Sequence, residues 1–359
     1  MIFAIFVPVG YCFTPQQLTP EPTLASVLSR QPYRLSTLSM QPFHKAVEQE
    51  FTAVNTLIVS QLQSDVGLVE NIGQYIVEAG GKRLRPVVVL LSALANGYKG
   101  EEHLKMAAVI EFIHTATLLH DDVVDVSSLR RGRQTANAQW GNAPSVLVGD
   151  FLYSRAFQML VEIAHMPIMG VMANATNVIS EGEVQQMANA GNPEITEDIY
   201  RQVIYRKTAK LFEAAAQVGA CLAGTDQNAM IVYGKHLGMA FQIADDVLDY
   251  QGDIDITGKN IGSDLAEGKM TLPLIYARDN AAEKDAKLIR NAIGEKSADN
   301  FGAILEIVKS HGGLSYSRQQ ATREVELAKY ALTDMPASEY KSVLLDLCLL
   351  YSSDAAEER

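Results

Sequence analysis

Two short aspartate clusters are the residues of this sequence with the clearest potential for chemistry. Each cluster has two adjacent aspartates and a third one three positions later, and each ends a long apolar run. Their members are Asp121, Asp122 and Asp125 in LLHDDVVD, and Asp245, Asp246 and Asp249 in QIADDVLD. Residues four apart lie on one face of a helix, so the first and third carboxylates of each cluster project side by side. The pattern predicts two helix ends with closely spaced negative charge.

Closely spaced carboxylates in apolar surroundings need a compensating cation. Like charges four residues apart destabilise a helix, and aspartate is a poor residue for a helix interior. All-oxygen ligands suit a hard ion, and Mg²⁺ commonly takes one or two protein carboxylates together with phosphate oxygens of a substrate. The alternative is a solvated acidic helix end, but such an end should have polar neighbours. We therefore predict that both clusters bind magnesium.

Concentrated basic segments complement these clusters, although the chain has 30 Lys+Arg against 42 Asp+Glu and a net charge of -12. The segment 80–86, GGKRLRP, has three cations in four positions, and 130–133, RRGR, follows the first cluster. Lys207, beside Thr208, and Lys259 add two more cations. Arginine forks and lysine charges bind phosphate oxygens, so the sequence predicts a site for two diphosphates. No P-loop motif is present, and nucleoside triphosphates are not the expected ligand.

Composition excludes several broad classes of protein. Apolar residues make up 48% and charged residues 20%, as in ordinary globular chains. The negative net charge argues against a nucleic-acid partner. No apolar run of about 18 residues occurs, so no transmembrane segment is expected. The three cysteines lie far apart, which predicts neither a disulfide framework nor a zinc site and favours a cytoplasmic protein.

Apolar residues recur three and four positions apart through most of the chain, whereas strand-like alternation is nearly absent. This period predicts an all-α protein with about ten or more helices. The predicted segments are 44–79, 86–96, 103–126, 144–165, 170–190, 196–222, 228–250, 271–280, 301–310, 316–333 and 338–351.

Residues 1–39 differ in composition from the rest of the chain. Six of the twelve prolines fall within the first 42 residues, and 1–39 contain only three charged residues. Such a segment cannot form a regular helix. We predict that 1–39 are a disordered tail or a mis-assigned N-terminal extension preceding a start at Met40, and that 40–359 form a single domain.

In order along the chain, GGKRLRP, LLHDDVVD with RRGR behind it, KTAKLFEAA, FQIADDVLDY and GKNIGSDLAEGKMTLPL resemble the motifs of the trans-prenyltransferases, the polyprenyl diphosphate synthase family. The resemblance implies a multi-helix bundle around a deep central cavity, with the two aspartate motifs facing each other across its mouth. It also implies a homodimer. The reaction it implies is Mg²⁺-dependent condensation of isopentenyl diphosphate with an allylic diphosphate such as farnesyl diphosphate.

The resemblance also implies a role for each matching residue. All six aspartates correspond to metal-binding positions, with Asp121, Asp125 and Asp245 the expected direct ligands. The isopentenyl diphosphate site would consist of Lys82, Arg85, His114 and Arg131. The allylic diphosphate site would consist of Arg130, Lys207, Thr208, Gln242 and Lys259. The spacing agrees for His114, which precedes Asp121 by two helical turns and so shares its face.

Product length is the property that the cavity floor sets in this family. A bulky aromatic residue at the fifth or fourth position before the first aspartate stops the chain early, and these positions are Ala116 and Thr117 here. Both are small, so we expect a long product, and the resemblance implies C40 (octaprenyl) for quinone side-chain biosynthesis. A shorter C15–C20 product is the alternative.

Three other readings stay open. A terpene cyclase shares the fold and one DDxxD, but it usually has a different second motif. A metal-dependent phosphohydrolase is suggested by His120 next to Asp121, although it needs further histidines at metal spacing and only seven occur in the chain. A non-catalytic subunit of a heteromeric synthase would tend to have lost one aspartate motif, and both are intact.

Overall fold

The apolar period of three and four residues forms helices in the computed structural model, which describes residues 42–251 and 262–351. Within these ranges a 3₁₀ helix, Pro42–Val47, precedes the α-helices. They are α1 (Glu48–Gln61), α2 (Gly67–Glu78), α3 (Leu84–Ala95), α4 (Glu102–Val124), α5 (Ala136–Trp140), α6 (Asn142–Ile163), α7 (Met166–Asn189), α8 (Glu197–Ile204), α9 (Lys210–Ala223), α10 (Asn228–Leu248), α11 (Ser263–Ala266), α12 (Leu272–Asn280), α13 (Glu283–Glu295), α14 (Phe301–Ser310), α15 (Gly313–Ala331) and α16 (Glu339–Leu349). The described strands, β1 (Leu129–Arg130) and β2 (Arg133–Gln134), form one antiparallel hairpin. The predicted all-α class is confirmed.

Helix α9 lies between the two helices that end at the aspartate clusters, because it packs against both α4 and α10. Helix α3 packs against α4 and α9, while α6 packs along α4 and α15 along α10. These contacts bury large side chains, among them Phe112 of α4, Phe212 of α9 and Tyr233 of α10. Close packing of this kind resists deformation, so it fixes the two aspartate ends relative to each other.

The segment predicted as one helix over 44–79 is divided in the structure. The backbone N–H of Ser64 donates to the Glu70 carboxylate over 3.1 Å, and that of Val66 donates to the Ser64 hydroxyl over 3.2 Å. Side-chain acceptors of this kind offer the backbone an alternative to the helix. The prediction of an uninterrupted helix is therefore wrong here. The structure also contains α13, in a stretch where no helix was predicted.

The predicted helix that carries Lys207 and Thr208 contains one wide turn. Helix α8 passes into a π-helical turn, Tyr205–Ala209, in which the backbone N–H of Lys210 donates to the carbonyl of Tyr205, five residues earlier. Helix α9 follows directly. π-helical turns of this kind occur frequently at functional sites, and this one carries two predicted site residues.

Two sequence predictions concern positions outside the described residues, namely the segment 1–39 and Lys259. Among the helices of the described part of the chain, none combines the length and the apolar character that a bilayer crossing requires.

Candidate active site

The C-terminal ends of α4 and α10 line a cavity of about 740 Å³. Each helix ends at its aspartate cluster, with Asp125 and Asp249 as the C-cap residues. The cavity walls bring together most of the predicted site residues. They are Lys82, Arg85, His114, Thr117, Asp121, Asp125, Arg130, Arg131, Lys207, Thr208, Gln242, Asp245, Asp246 and Asp249. Asp122 and Ala116 are not among the lining residues and are both buried.

In the first cluster the outer carboxylates face two lysines from other elements. Nζ of Lys207 lies 3.6 Å from an Asp121 oxygen, and Nζ of Lys269 lies 3.1 Å from an Asp125 oxygen. Carboxylates at a helix C-terminus are destabilised by the negative end of the helix dipole, and the ammonium groups offset this. Although burial acts to lower the pKa of Lys207, the charges of Asp121 and Glu183 raise it above its usual value.

The middle residue of the first cluster, Asp122, is 1% exposed. One of its oxygens accepts hydrogen bonds from Nε and Nη2 of Arg130, both at 2.8 Å. Burial raises the pKa of the Asp122 carboxyl, and the charge of Arg130 opposes this shift. The sequence assigned Asp122 to metal and Arg130 to the allylic diphosphate, whereas in the structure the two side chains bind each other.

The middle residue of the second cluster, Asp246, is also buried but has neutral partners. It accepts a hydrogen bond from the Tyr200 hydroxyl over 2.6 Å and another from the Gln242 amide over 2.8 Å. The Gln242 amide oxygen in turn accepts from the Thr208 hydroxyl over 2.8 Å. Burial raises the pKa of Asp246 to about 7, against the effect of these two hydrogen bonds.

The outer residues of the second cluster have different described surroundings from those of the first. Asp249 accepts from the backbone N–H groups of Ser263 and Asp264, each over 3.2 Å, and from the Ser263 hydroxyl over 2.9 Å. Asp245 is exposed and lines the cavity. Neutral donors therefore hold Asp249, and Asp245 stays open to the cavity.

The four outer carboxylates suit a divalent cation by their chemistry, because oxygen donors are what Mg²⁺ and Ca²⁺ prefer. Within 42–251 and 262–351, no three histidine, cysteine or acidic side chains converge closely enough to hold an ion by themselves. The ammonium groups beside Asp121 and Asp125 show that positive charge is favoured at this place. The donor set fits a metal that takes few protein ligands and completes its shell with substrate oxygens.

A second group of cavity cations, Arg85 and Arg131, has the single carboxylate of Glu111 nearby and, among the described residues, no aspartate cluster. Nη1 of Arg85 lies 3.2 Å from Nε2 of His114, and the Arg85 guanidinium stacks 4.3 Å from the Phe212 ring centroid. Burial lowers the pKa of Arg85 to about 10, which leaves it charged at neutral pH. Burial and the Arg85 charge hold the pKa of His114 well below its usual value, so the imidazole is neutral.

The β1–β2 hairpin joins this cationic part to the first cluster. Arg130 binds the buried aspartate at the end of α4, and the adjacent Arg131 donates from its guanidinium to the carbonyl oxygen of Gly80. The hairpin also contacts α2, where the Tyr75 hydroxyl donates to the Gln134 carbonyl over 2.8 Å. Two neighbouring arginines thus bind two different walls of the cavity.

The two predicted chain-length residues occupy different surroundings. Thr117 lines the cavity, and its hydroxyl donates to the backbone carbonyl of His114 over 2.7 Å. Ala116 is 1% exposed and packs in the core. A larger side chain at Thr117 would enter the cavity directly, whereas one at Ala116 must first displace packed neighbours.

Charged cavity residues that the sequence analysis did not select include Glu183, Asp264 and Lys269. Glu183 accepts from Lys207 over 2.6 Å, and burial together with the negative charge of Asp121 raises the pKa of Glu183 to about 7. Lys269 lies in the motif GKNIGSDLAEGKM, ten residues after the predicted site residue Lys259, so the motif itself could have indicated it. Glu183 has no clustered partner in the sequence, and only the fold brings it to Lys207.

An all-helical fold whose cavity joins two aspartate clusters to several cations is that of the isoprenoid synthases. Residues 66–309 match the family model described as polyprenyl synthetase. The chain belongs to this family and is a prenyltransferase.

Its relatives match over nearly their whole length. Octaprenyl diphosphate synthase of Escherichia coli (strain K12) is 47% identical over 314 residues, which cover 86% of this chain and 97% of that protein. The all-trans-nonaprenyl-diphosphate synthase (geranyl-diphosphate specific) of Rhodobacter capsulatus is 46% identical over 307 residues, which cover 85% and 94%. A crystal structure of polyprenyl synthase from Caulobacter crescentus CB15, complexed with calcium and isoprenyl diphosphate, has a TM-score of 0.81 at 40% identity and covers 88% of this chain and 98% of that one.

Proposed function

We propose that the protein is a Mg²⁺-dependent trans-prenyltransferase that adds isopentenyl diphosphate units to an allylic diphosphate such as farnesyl diphosphate. Its proposed product is octaprenyl (C40) diphosphate, a precursor of quinone side chains. The observation that carries the proposal is a single cavity lined by the outer aspartates of two clusters and by separate groups of cations. The name of the Escherichia coli relative supports C40, and that of the Rhodobacter capsulatus relative makes nonaprenyl the nearest alternative.

The distribution of cations supports binding of the two substrates in two parts of the cavity. We place the allylic diphosphate between the aspartate clusters, beside Lys207, Thr208 and Lys269. Isopentenyl diphosphate would bind where Arg85 and Arg131 act without a carboxylate cluster. Arg130 already binds the buried Asp122, so its proposed role is to hold the hairpin in place.

In the proposed reaction the allylic C–O bond breaks and its electron pair leaves with the diphosphate. The double bond of isopentenyl diphosphate then attacks the allylic carbon, a carbon–carbon bond forms, and the proton lost passes to the released pyrophosphate. Lys207 and Lys269 stabilise the charge that grows on the leaving group, because their ammonium groups are already fixed beside Asp121 and Asp125, where we place the diphosphate. Bound Mg²⁺ would add electrostatic stabilisation of the same charge. Apolar lining residues such as Leu118 and Phe241 exclude water from the cation.

A product assay tests the proposed function. The purified full-length chain is incubated with Mg²⁺, radiolabelled isopentenyl diphosphate and farnesyl diphosphate, and the dephosphorylated prenols are sized by chromatography. A C40 product supports the proposal, and a C15–C20 product retains the reaction but contradicts the length. Absence of incorporation favours the non-catalytic subunit, and a hydrocarbon formed from farnesyl diphosphate alone favours a cyclase.

The chain-length prediction is tested at Thr117, which borders the cavity. We expect Thr117→Tyr to shorten the product to about C15–C20, because the larger ring would enter the cavity and occupy space that the growing chain needs. Thr117→Val keeps the side-chain volume and should leave the product length unchanged. A full-length product from the tyrosine variant would contradict a floor at this position.

We also propose a cytoplasmic homodimer. Five large apolar side chains on the successive helices α6 and α7 are 61–74% exposed to solvent. They are Leu147, Val161, Met166, Val184 and Met187. A second copy covering this surface would bury them, and light scattering after size-exclusion chromatography would detect twice the monomer mass of 39.2 kDa.

A further inference from the structure

We propose that Gly182 and Glu183 of α7 are positioning residues that set where Lys207 lies in the cavity. Gly182 allows α7 to approach the π-helical turn, and Glu183 fixes the ammonium group of the lysine. This inference rests on the proposed function, which places Lys207 and Thr208 at the allylic diphosphate.

The approach of α7 to the π-helical turn depends on the missing side chain of Gly182. A Cβ at this position would lie 2.7 Å from Cβ of Arg206 and 2.8 Å from the backbone nitrogen of Lys207. Non-bonded carbon atoms prefer about 3.5–4.0 Å. Any side chain at residue 182 would therefore push α7 away from the backbone that carries Lys207.

The π-helical turn has no free space on its other side either. Helix α10 approaches it at Gly238, where a Cβ would lie 2.5 Å from Cα of Ala209 and 2.9 Å from its Cβ. The turn is thus packed between two helices, each of which contacts it through a glycine. A displacement away from α7 would move the turn into α10, so the turn cannot absorb a side chain at Gly182 by a small shift.

Polar contacts from the same two helices fix the side chains of the turn. Arg206 donates to Gln185 of α7 over 2.8 Å, and Lys207 donates to Glu183 of the same helix over 2.6 Å. The next residue, Thr208, donates to Gln242 of α10 over 2.8 Å. Three consecutive residues are therefore held by partners on the two helices whose glycines set the backbone distance.

Glu183 decides which part of the cavity the lysine ammonium occupies. Nζ of Lys207 lies 2.6 Å from a Glu183 oxygen and 3.6 Å from an Asp121 oxygen, so the ammonium is held beside the first aspartate cluster. A lysine side chain has four rotatable bonds and loses much entropy when it is fixed. Glu183 therefore orders Lys207 before the substrate arrives.

The decisive comparison uses two glycines of the same helix. Gly182→Ala introduces the close contacts described above, whereas Gly170→Ala places its Cβ in open space, with no heavy atom within 4 Å. We expect Gly182→Ala to lower kcat/KM for farnesyl diphosphate about 10–100-fold, because misplacing a catalytic group by about 1 Å can have such an effect. The KM for isopentenyl diphosphate should stay within about twofold of wild type, since its proposed site lies elsewhere in the cavity. Gly170→Ala should match wild type in both.

A second variant covers the case in which Gly182→Ala does not fold. Glu183→Gln keeps the side-chain volume and the backbone, and it should also lower kcat/KM for farnesyl diphosphate while leaving the KM for isopentenyl diphosphate unchanged. If a variant impairs the use of both substrates equally, or if Glu183→Gln has the kinetic constants of wild type, the positioning role is refuted. Reductive methylation of Lys207, followed by mass spectrometry, gives a readout without substrate. Methylation should be faster in Gly182→Ala and Glu183→Gln than in Gly170→Ala, and equal methylation rates would refute the inference. If wild type cannot use farnesyl diphosphate, that result contradicts the proposed function alone, and the methylation rates still test the positioning role.

Discussion

The two aspartate clusters share one DDxxD pattern but differ in the contacts that the described residues make with them. In the first cluster, charged partners dominate, with Lys207 at 3.6 Å from Asp121 and Lys269 at 3.1 Å from Asp125. In the second cluster the outer Asp249 accepts from backbone N–H groups and a hydroxyl. Among the contacts within 42–251 and 262–351, the outer carboxylates of the first cluster thus meet lysines, whereas Asp249 accepts hydrogen bonds from neutral donors.

The middle aspartates of the two clusters also differ in whether their partner is charged or neutral. Asp122 binds the guanidinium of Arg130, whereas Asp246 binds the hydroxyl of Tyr200 and the amide of Gln242. Both middle residues are buried, at 1% and 4% exposure. The repeated motif therefore identifies two helix ends but not the surroundings of each carboxylate, since Asp246 lines the cavity although it is buried and Asp122 does not line it.

The largest expected effect comes from removing an outer carboxylate of the first cluster. We expect Asp121→Ala to reduce turnover about 1,000-fold, because it removes a proposed metal ligand and with it several kcal/mol of charge stabilisation. The thermal midpoint should change little, since Asp121 lies at the cavity. Asp198→Ala, which removes an exposed carboxylate in α8, is the control. Turnover of Asp121→Ala within tenfold of the control would contradict the metal role.

A smaller effect is expected at Lys269, whose ammonium group contacts Asp125 of the first cluster. Lys269→Gln removes the charge beside Asp125 and should lower kcat/KM for the allylic substrate about 100-fold, as the loss of one preorganised charge typically does. Lys284→Gln, at an exposed position of α13, should leave it unchanged. Steady-state kinetics with farnesyl diphosphate measure both variants, and equal kcat/KM values for the two would contradict the proposed role of Lys269 in binding the allylic substrate.

The two middle aspartates should respond differently to the same substitution. Asp122→Asn leaves the Arg130 guanidinium without its anion, and we expect a loss of about 2 kcal/mol in the free energy of unfolding, because Arg130 is partly solvated. Asp246→Asn keeps an acceptor for Tyr200, and we expect a change below about 1 kcal/mol. Urea titration of both variants provides the comparison. Equal losses would mean that the partners, charged or neutral, do not matter.

The smallest effect concerns pH. Burial and the Arg85 charge lower the pKa of His114 in the folded state, so below its usual value of about 6.5 the unfolded chain binds a proton that the folded chain does not. His114 therefore contributes stability that is lost as the pH falls. Between pH 7.5 and 5.5 wild type should lose about 1 kcal/mol more than His114→Gln. Parallel pH profiles of the two proteins would contradict a neutral buried imidazole.

The sequence was sufficient for the features that local patterns encode. The apolar period predicted most helices, and the motifs located Asp121, Asp245 and Arg85, all of which line the cavity. Spacing could not show that Asp122 is buried against Arg130, because each motif has the same residue types whether its side chains face the cavity or the protein interior. It also could not reveal Glu183, whose partner lies 24 residues away on another helix and meets it only through tertiary packing.

The β1–β2 hairpin is constrained in its length more than in its composition. Its adjacent residues Arg130 and Arg131 bind the end of α4 and the Gly80 carbonyl, so their separation along the chain matches the distance between two walls. A substitution at an exposed position such as Gln134 removes one side chain. An insertion or a deletion between the arginines would detach one wall from the other. In related sequences we therefore expect exposed hairpin positions other than Arg130 and Arg131 to vary in residue type, while insertions and deletions within the hairpin are absent.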